Sequence, residues 1–301
     1  MPSVDLNQTR TREVGHSAGM SSYRTIVVHL DGGKRRPQVL NVALALAEAF
    51  NAHLVGLFAP APVRVPSPVA TEGASVLREI EEDRRRTALA GEVQREFAAA
   101  ARRLGAERSE WRDLPGDPLY AVQLSARYAD LIVMGQPDRY SADADEPLAS
   151  FPGDVVLSAG RPVLFVPYAG SFPKLATRVL IAWNASREAA RAVHDALPLL
   201  ERAQRVDVVA FDPERGRADH GELPGADIAL YLARHGVKAN AAQQRGTGIE
   251  VGAQILSRAA DMEADLIVMG GYGHSRLRER VLGGATRTIL ESMTVPVLMS
   301  R

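Results

Sequence analysis

The sequence contains no cysteine. That removes disulfides, thiolate nucleophiles, zinc–thiolate centres and iron–sulfur clusters together, and it fits a cytoplasmic location. Excess charge is also missing: Lys+Arg and Asp+Glu both number 36 in 301 residues. No global field draws such a chain onto nucleic acid or an anionic membrane, so neither is expected as a partner. No apolar run approaches the roughly 18 residues that a membrane span requires, and the first residues lack an apolar signal core. The seven histidines form no H-E-x-x-H or other ligand-like pair, and G-x-S-x-G is absent, which leaves no signature of a metallopeptidase or a serine hydrolase.

What is present is an ordinary globular composition, 46% hydrophobic and 24% charged, on a chain long enough for about two domains. Residues 1–22 are polar and rich in Ser, Thr and Arg, and are expected to form a disordered arm. Asp5 and Glu13 make a transit peptide the weaker reading. The segment "ADLIVMG" occurs twice, at 129–135 and 264–270. Each copy is followed by a second apolar strand, "RPVLFVP" at 161–167 and "VPVLMS" at 295–300, and preceded by another, "TIVVHLD" at 25–31 and "RVLIAWN" at 178–184. The chain is therefore a duplication. The expected organisation is a first domain over 23–168, a linker over 169–175, where "YAGSFPK" supplies Gly, Ser and Pro, and a second domain over 176–301.

Within each half, apolar runs of about five residues alternate with helix-period segments, the pattern of βα units on a parallel sheet. Strands are expected at 25–31, 53–59, 107–113, 130–134 and 162–166, and again at 178–183, 206–211, 237–243, 265–269 and 295–299. Helices are expected at 37–50, 75–104, 117–128 and 152–159, then at 187–202, 225–235, 249–262 and 284–293. The fold class is α/β, two doubly wound open parallel five-stranded sheets flanked by helices. The strands "RPVLFVP" and "VPVLMS" hold the same place in each half, and an apolar edge strand has to be covered. They are expected to pair with each other and make an internal pseudo-dimer. Trp111 and Trp183 fall on strands and read as core.

In such sheets ligands bind beyond the carboxyl ends of the strands, where the winding reverses. "MGGYGHSRLRERVLGGATRTIL" at 269–290 stands there, directly after the fourth strand of the second half. Gly270 and Gly273 allow the loop to turn closely beside a ribose. Gly283 and Gly284 precede a helix whose first N–H groups are unpaired and whose dipole favours an anion. Ala285 keeps the approach small, Thr286 offers a hydroxyl, and Arg276, Arg278, Arg280 and Arg287 bring positive charge. The plain alternatives are a solvated charged face for the arginines and a structural turn for the glycines. No G-x-x-x-x-G-K-[ST] is present, and Gly271-Tyr272-Gly273 lacks the third glycine of G-x-G-x-x-G.

Gly270-x-x-Gly273, nine residues and then Gly283, after a strand ending in D-L-I-V-M-G, resembles the nucleotide motif of the universal stress protein family, in its tandem two-domain form, over roughly residues 23–301. Gly284 stands where that family places its first hydroxyl residue, whereas Thr286 matches a second. The family's acidic residue at the end of the first strand corresponds to Asp31 in the first half and to Asn184 in the second. Asn184-Ala185-Ser186 also reads as plain helix-start chemistry, and "DGGK" at Asp31 as a plain turn. The resemblance implies binding of an adenine nucleotide, ATP with or without Mg2+, and a role in stress survival or signalling. It also implies an unidentified protein partner whose binding responds to occupancy, and assembly as an internal pseudo-dimer or further as a homodimer.

In the first half Gln136-Pro137-Asp138 follows the repeat, and Phe151-Pro152-Gly153-Asp154 stands at the expected phosphate turn. Pro137 removes an N–H, and Asp154 near a helix start would repel phosphate, so this site reads as degenerate. Two other functions compete: a nucleotide-free interaction protein with a decayed site, and an adenylyl- or phosphoryl-transfer enzyme. Slow hydrolysis at most is expected, because Glu279, the loop's only acid, is flanked by Arg278 and Arg280. His274, alone in that loop, reads as a solvent-exposed histidine.

Overall fold

The structure, a computed structural model, describes residues 21–60, 72–137, 146–213, 224–246, 248–272 and 283–301. The expected arm lies outside them up to residue 20. In the first half β1 (Thr25–Leu30), α1 (Arg36–Phe50), β2 (His53–Phe58), α2 (Glu72–Ala101) and β3 (Ser109–Asp113) are followed by α3 (Pro118–Ala126), β4 (Leu131–Gly135), α4 (Glu146–Ser158) and β5 (Val163–Val166). The second half repeats the order with β6 (Arg178–Trp183), α5 (Arg187–Leu200), β7 (Arg205–Phe211), α6 (Ala226–Arg234) and β8 (Ala239–Gln244). It ends with α7 (Val251–Asp261), β9 (Leu266–Gly270), α8 (Gly284–Ser292) and β10 (Val297–Ser300).

Each half is wound outward in both directions from its first strand, and the two halves join as one ten-stranded sheet in the order β3-β2-β1-β4-β5-β10-β9-β6-β7-β8. All neighbours are parallel except β5 and β10, which pair antiparallel with Leu164 opposite Leu298. The two expected edge strands thus cover each other, and the pseudo-dimer is built through main-chain hydrogen bonds. The central strands read LIVMG with four successive buried residues, as a parallel sheet covered on both faces requires. One core lies beneath α1, α2, α5 and α6, the other beneath α3, α4, α7 and α8.

The aspartate that opens each repeat has a task that apolar patterning did not reveal. Asp130 Oδ2 accepts from the N–H of Arg24 and of Thr25, at 2.7 and 2.9 Å. Asp265 accepts in the same way from Thr177 and Arg178, at 3.0 and 2.9 Å. Each carboxylate satisfies the unpaired donors at the start of its half's first strand, which fixes β1 beside β4 and β6 beside β9. Between the halves, Tyr23 donates its hydroxyl to the Asp195 carbonyl at 2.7 Å. The Arg202 guanidinium lies 4.2 Å over the Phe50 ring.

Helix α4 departs from expectation. It starts at Glu146, not 152, and carries Pro152 inside it. Asp154 is therefore within the helix and not near its start, so repulsion at a phosphate turn does not describe the first half. Trp183 and Trp111 are only partly buried, packed at the margin of the core.

Candidate functional site

The place where the winding reverses in the second half is the carboxyl end of β6 and β9. Asn184 follows β6 directly. Its Oδ1 accepts from the Ser186 N–H at 3.2 Å and the Ser186 hydroxyl at 2.7 Å, and Ser186 in turn caps α5 by accepting from Ala189 N–H at 3.1 Å. Asp31, its counterpart, closes a short turn by accepting from Gly33 N–H at 2.8 Å.

At the end of β9, Gly270 is a packing glycine. A Cβ there would come within 2.5 Å of Ala189 N and 2.6 Å of Glu188 C, so its absence lets the first turn of α5 settle onto the strand. Tyr272 has φ of 68°, and its N–H donates to the Thr286 hydroxyl at 3.4 Å. Thr286 is buried, and this bond ties the strand end to α8. Burial pushes the Tyr272 phenol up to about 12, with Asp154 of α4 adding to the shift. Gly273, Arg276, Arg278 and Arg280, with His274 and Glu279, lie outside the described residues.

Helix α8 begins at Gly284 with Gly283 as its N-cap, without a side-chain cap and without an acid in its first turn. Among the described residues nothing stands within 4 Å of a Cβ built on Gly283. Ala285 is partly exposed. The Arg287 guanidinium pairs with Glu291 at 2.8 Å and so directs its charge along the helix. Glu250, just before α7, reaches the same turn. Its Oε1 would be 2.7 Å from a Cβ on Gly284, and its Oε2 accepts from the Thr288 hydroxyl at 2.7 Å. Beside the end of β6 a groove of about 350 Å³ is lined by Trp183, Ala190, Asp227, Ile228 and Tyr231. Among the described residues no group of three or more His, Asp or Glu could hold a metal ion.

The two halves can be superposed residue by residue through their registers. Val28 pairs with Val133 as Ile181 pairs with Val268, which makes His29 the counterpart of Ala182. Ala159 N–H bonds to Val155 O as Met293 N–H bonds to Ile289 O, which makes Phe151 the counterpart of Ala285. In the first half His29 is buried, with Nε2 2.9 Å from the Ala59 carbonyl oxygen. The Phe151 ring lies against it at 5.5 Å between centroids. Two rings thus fill, between strand end and helix, the place that two alanines occupy in the second half.

The universal stress protein family model matches residues 22–167 and again 176–301. Among solved structures, a universal stress protein from Archaeoglobus fulgidus DSM 4304 is similar with a TM-score of 0.67 and 16% identity, over 92% of this chain and 96% of that one. A functionally unknown protein from Pseudomonas aeruginosa PAO1 has a TM-score of 0.56 at 14% identity, covering 93% of both chains. A putative universal stress protein from Pseudomonas aeruginosa UCBPP-PA14 has 0.54 at 15%, over 93% of this chain and 94% of that one. No protein of curated description matches. With its fold shared across nearly the whole length and the family model fitted once to each half, the chain belongs to the universal stress protein family, as a tandem of two units.

Proposed function

We propose that the second half binds one adenine nucleotide, ATP with or without Mg2+, and that occupancy regulates binding of a protein partner. The observation that carries this reading is the contrast between the halves: the rings of His29 and Phe151 fill the place between strand end and helix in the first, whereas the small side chains of Ala182 and Ala285 hold it in the second, beside a helix start without a side-chain cap. Phosphate oxygens are suited to the first N–H groups of α8, next to Gly283, where the dipole favours an anion. The base is suited to the neighbourhood of Asn184 and the groove along Trp183, whose size falls within the range of ligand pockets. Family membership supports a stress or signalling role in which the nucleotide acts as a regulatory ligand. Native mass spectrometry of the full chain with ATP tests the reading: one added nucleotide mass per chain is expected, and its absence at saturating ATP contradicts it.

A second reading, a nucleotide-free interaction protein, is favoured by the Asn184 Oδ1 bonds to Ser186. They engage part of the side chain that would meet the base in local helix-start chemistry.

A further inference from the structure

Glu250 is the residue before α7, yet its side chain makes no cap to that helix. In the first half Asp117 holds the corresponding place before α3 and does cap it, accepting from Leu119 N–H at 2.9 Å. Glu250 is turned instead onto α8. One carboxylate oxygen accepts from Thr288 Oγ1, and the other comes 2.7 Å from where a side chain on Gly284 would begin. The two helix starts are pressed together here, since a Cβ on Gly252 would come within 2.6 Å of Thr288 Cβ. The carboxylate is held on α8 by the Thr288 hydroxyl at 2.7 Å, in an exposed contact. The cation nearest in sequence on α8, Arg287, is paired with Glu291, and Glu250 adds only the last contribution to its raised pKa. The first turn of α8 thus has a negative charge on its flank that its own sequence does not supply. For the unliganded helix this charge is favourable. For a phosphate arriving at the same turn it is a like charge at short range.

Resting on the nucleotide reading above, we infer that Glu250 makes binding at this site depend on a divalent cation. It opposes metal-free ATP and accepts ATP whose phosphates carry Mg2+, an ion commonly held by one or two carboxylates together with substrate phosphates.

The test is calorimetric titration of the full chain and of Glu250→Gln with ATP, once with MgCl2 and once with EDTA at matched ionic strength. The wild type is expected to bind at least about tenfold more tightly with Mg2+, as a charge–charge coupling at this range allows. Glu250→Gln keeps an oxygen for Thr288 and removes the charge. It is expected to narrow the ratio to within about threefold, mainly by tightening metal-free binding. Equal ratios in the two proteins, or a wild-type ratio near one, overturn the inference and leave the nucleotide reading standing. No binding by wild type in either buffer contradicts the nucleotide reading and the inference with it.

Discussion

Phe151 lies against His29 with ring centroids 5.5 Å apart, and the residues at the same two places in the second half are both alanine. On the nucleotide reading proposed above, this contact distinguishes the halves without any change of fold. A single substitution should transfer it. Ala285→Phe is expected to weaken ATP binding at least about tenfold, ~1.4 kcal/mol, with an unchanged far-ultraviolet circular dichroism spectrum. Phe151→Ala is expected to leave the affinity as it is. Normal ATP binding by a folded Ala285→Phe protein would contradict the assignment of the site to the place that Ala285 holds.

Gly270 and Gly283 belong to one motif and have different tasks. A side chain on Gly270 meets the backbone of α5, whereas one on Gly283 meets nothing within 4 Å among the described residues. Gly270→Ala is therefore expected to lower stability by about 1–3 kcal/mol, as overpacking does. Gly283→Ala should stay within about 0.5 kcal/mol of wild type. Urea denaturation of both variants measures this, and equal effects would show that the close approach of α5 is misread.

Two tyrosines tie stability to alkaline pH. Burial holds the Tyr23 hydroxyl well above the usual value, with Asp195 and Asp130 adding to the shift, and burial raises Tyr272 to about 12. A raised folded-state pKa contributes stability that is complete below the unfolded value of about 10 and is lost as pH climbs through the folded value. Stability should thus fall progressively from about pH 10 upward, and Tyr272→Phe should flatten part of that slope. Denaturation midpoints taken between about pH 8 and 11 check the sign. A slope identical in wild type and variant would remove Tyr272 from the account.

The repeat made much of this legible in advance. Two copies of LIVMG, each followed by a Pro-led strand, are enough to expect a doubly wound sheet in each half and to bring β5 against β10, because exposed apolar edges of equal sequence place have one economical cover. The start of α4 was not legible. Phe151-Pro152-Gly153-Asp154 read as a turn at the start of a helix over 152–159, but burial of Val155 and Val156 accompanies a helix that begins at Glu146 and runs through them, a tertiary preference that local propensity does not express. Trp183 read as core because it sits in a buried strand. Helix α6 has only 9 residues where α2 has 30, and the ring lines a groove. The Glu250 contact with the first turn of α8 joins segments far apart in sequence, so no local pattern announces it. The aspartates of the repeat were visible in both copies, and their identity was the available signal for a strand-start role.

The most direct test of the central claim counts nucleotides. Isothermal titration of the full chain with ATP in MgCl2 is expected to saturate at one nucleotide per chain. Gly283→Asp, which adds a side chain and a like charge at the start of α8, should abolish that binding while the protein remains folded. Two equal sites per chain, or normal binding by Gly283→Asp, would contradict the account.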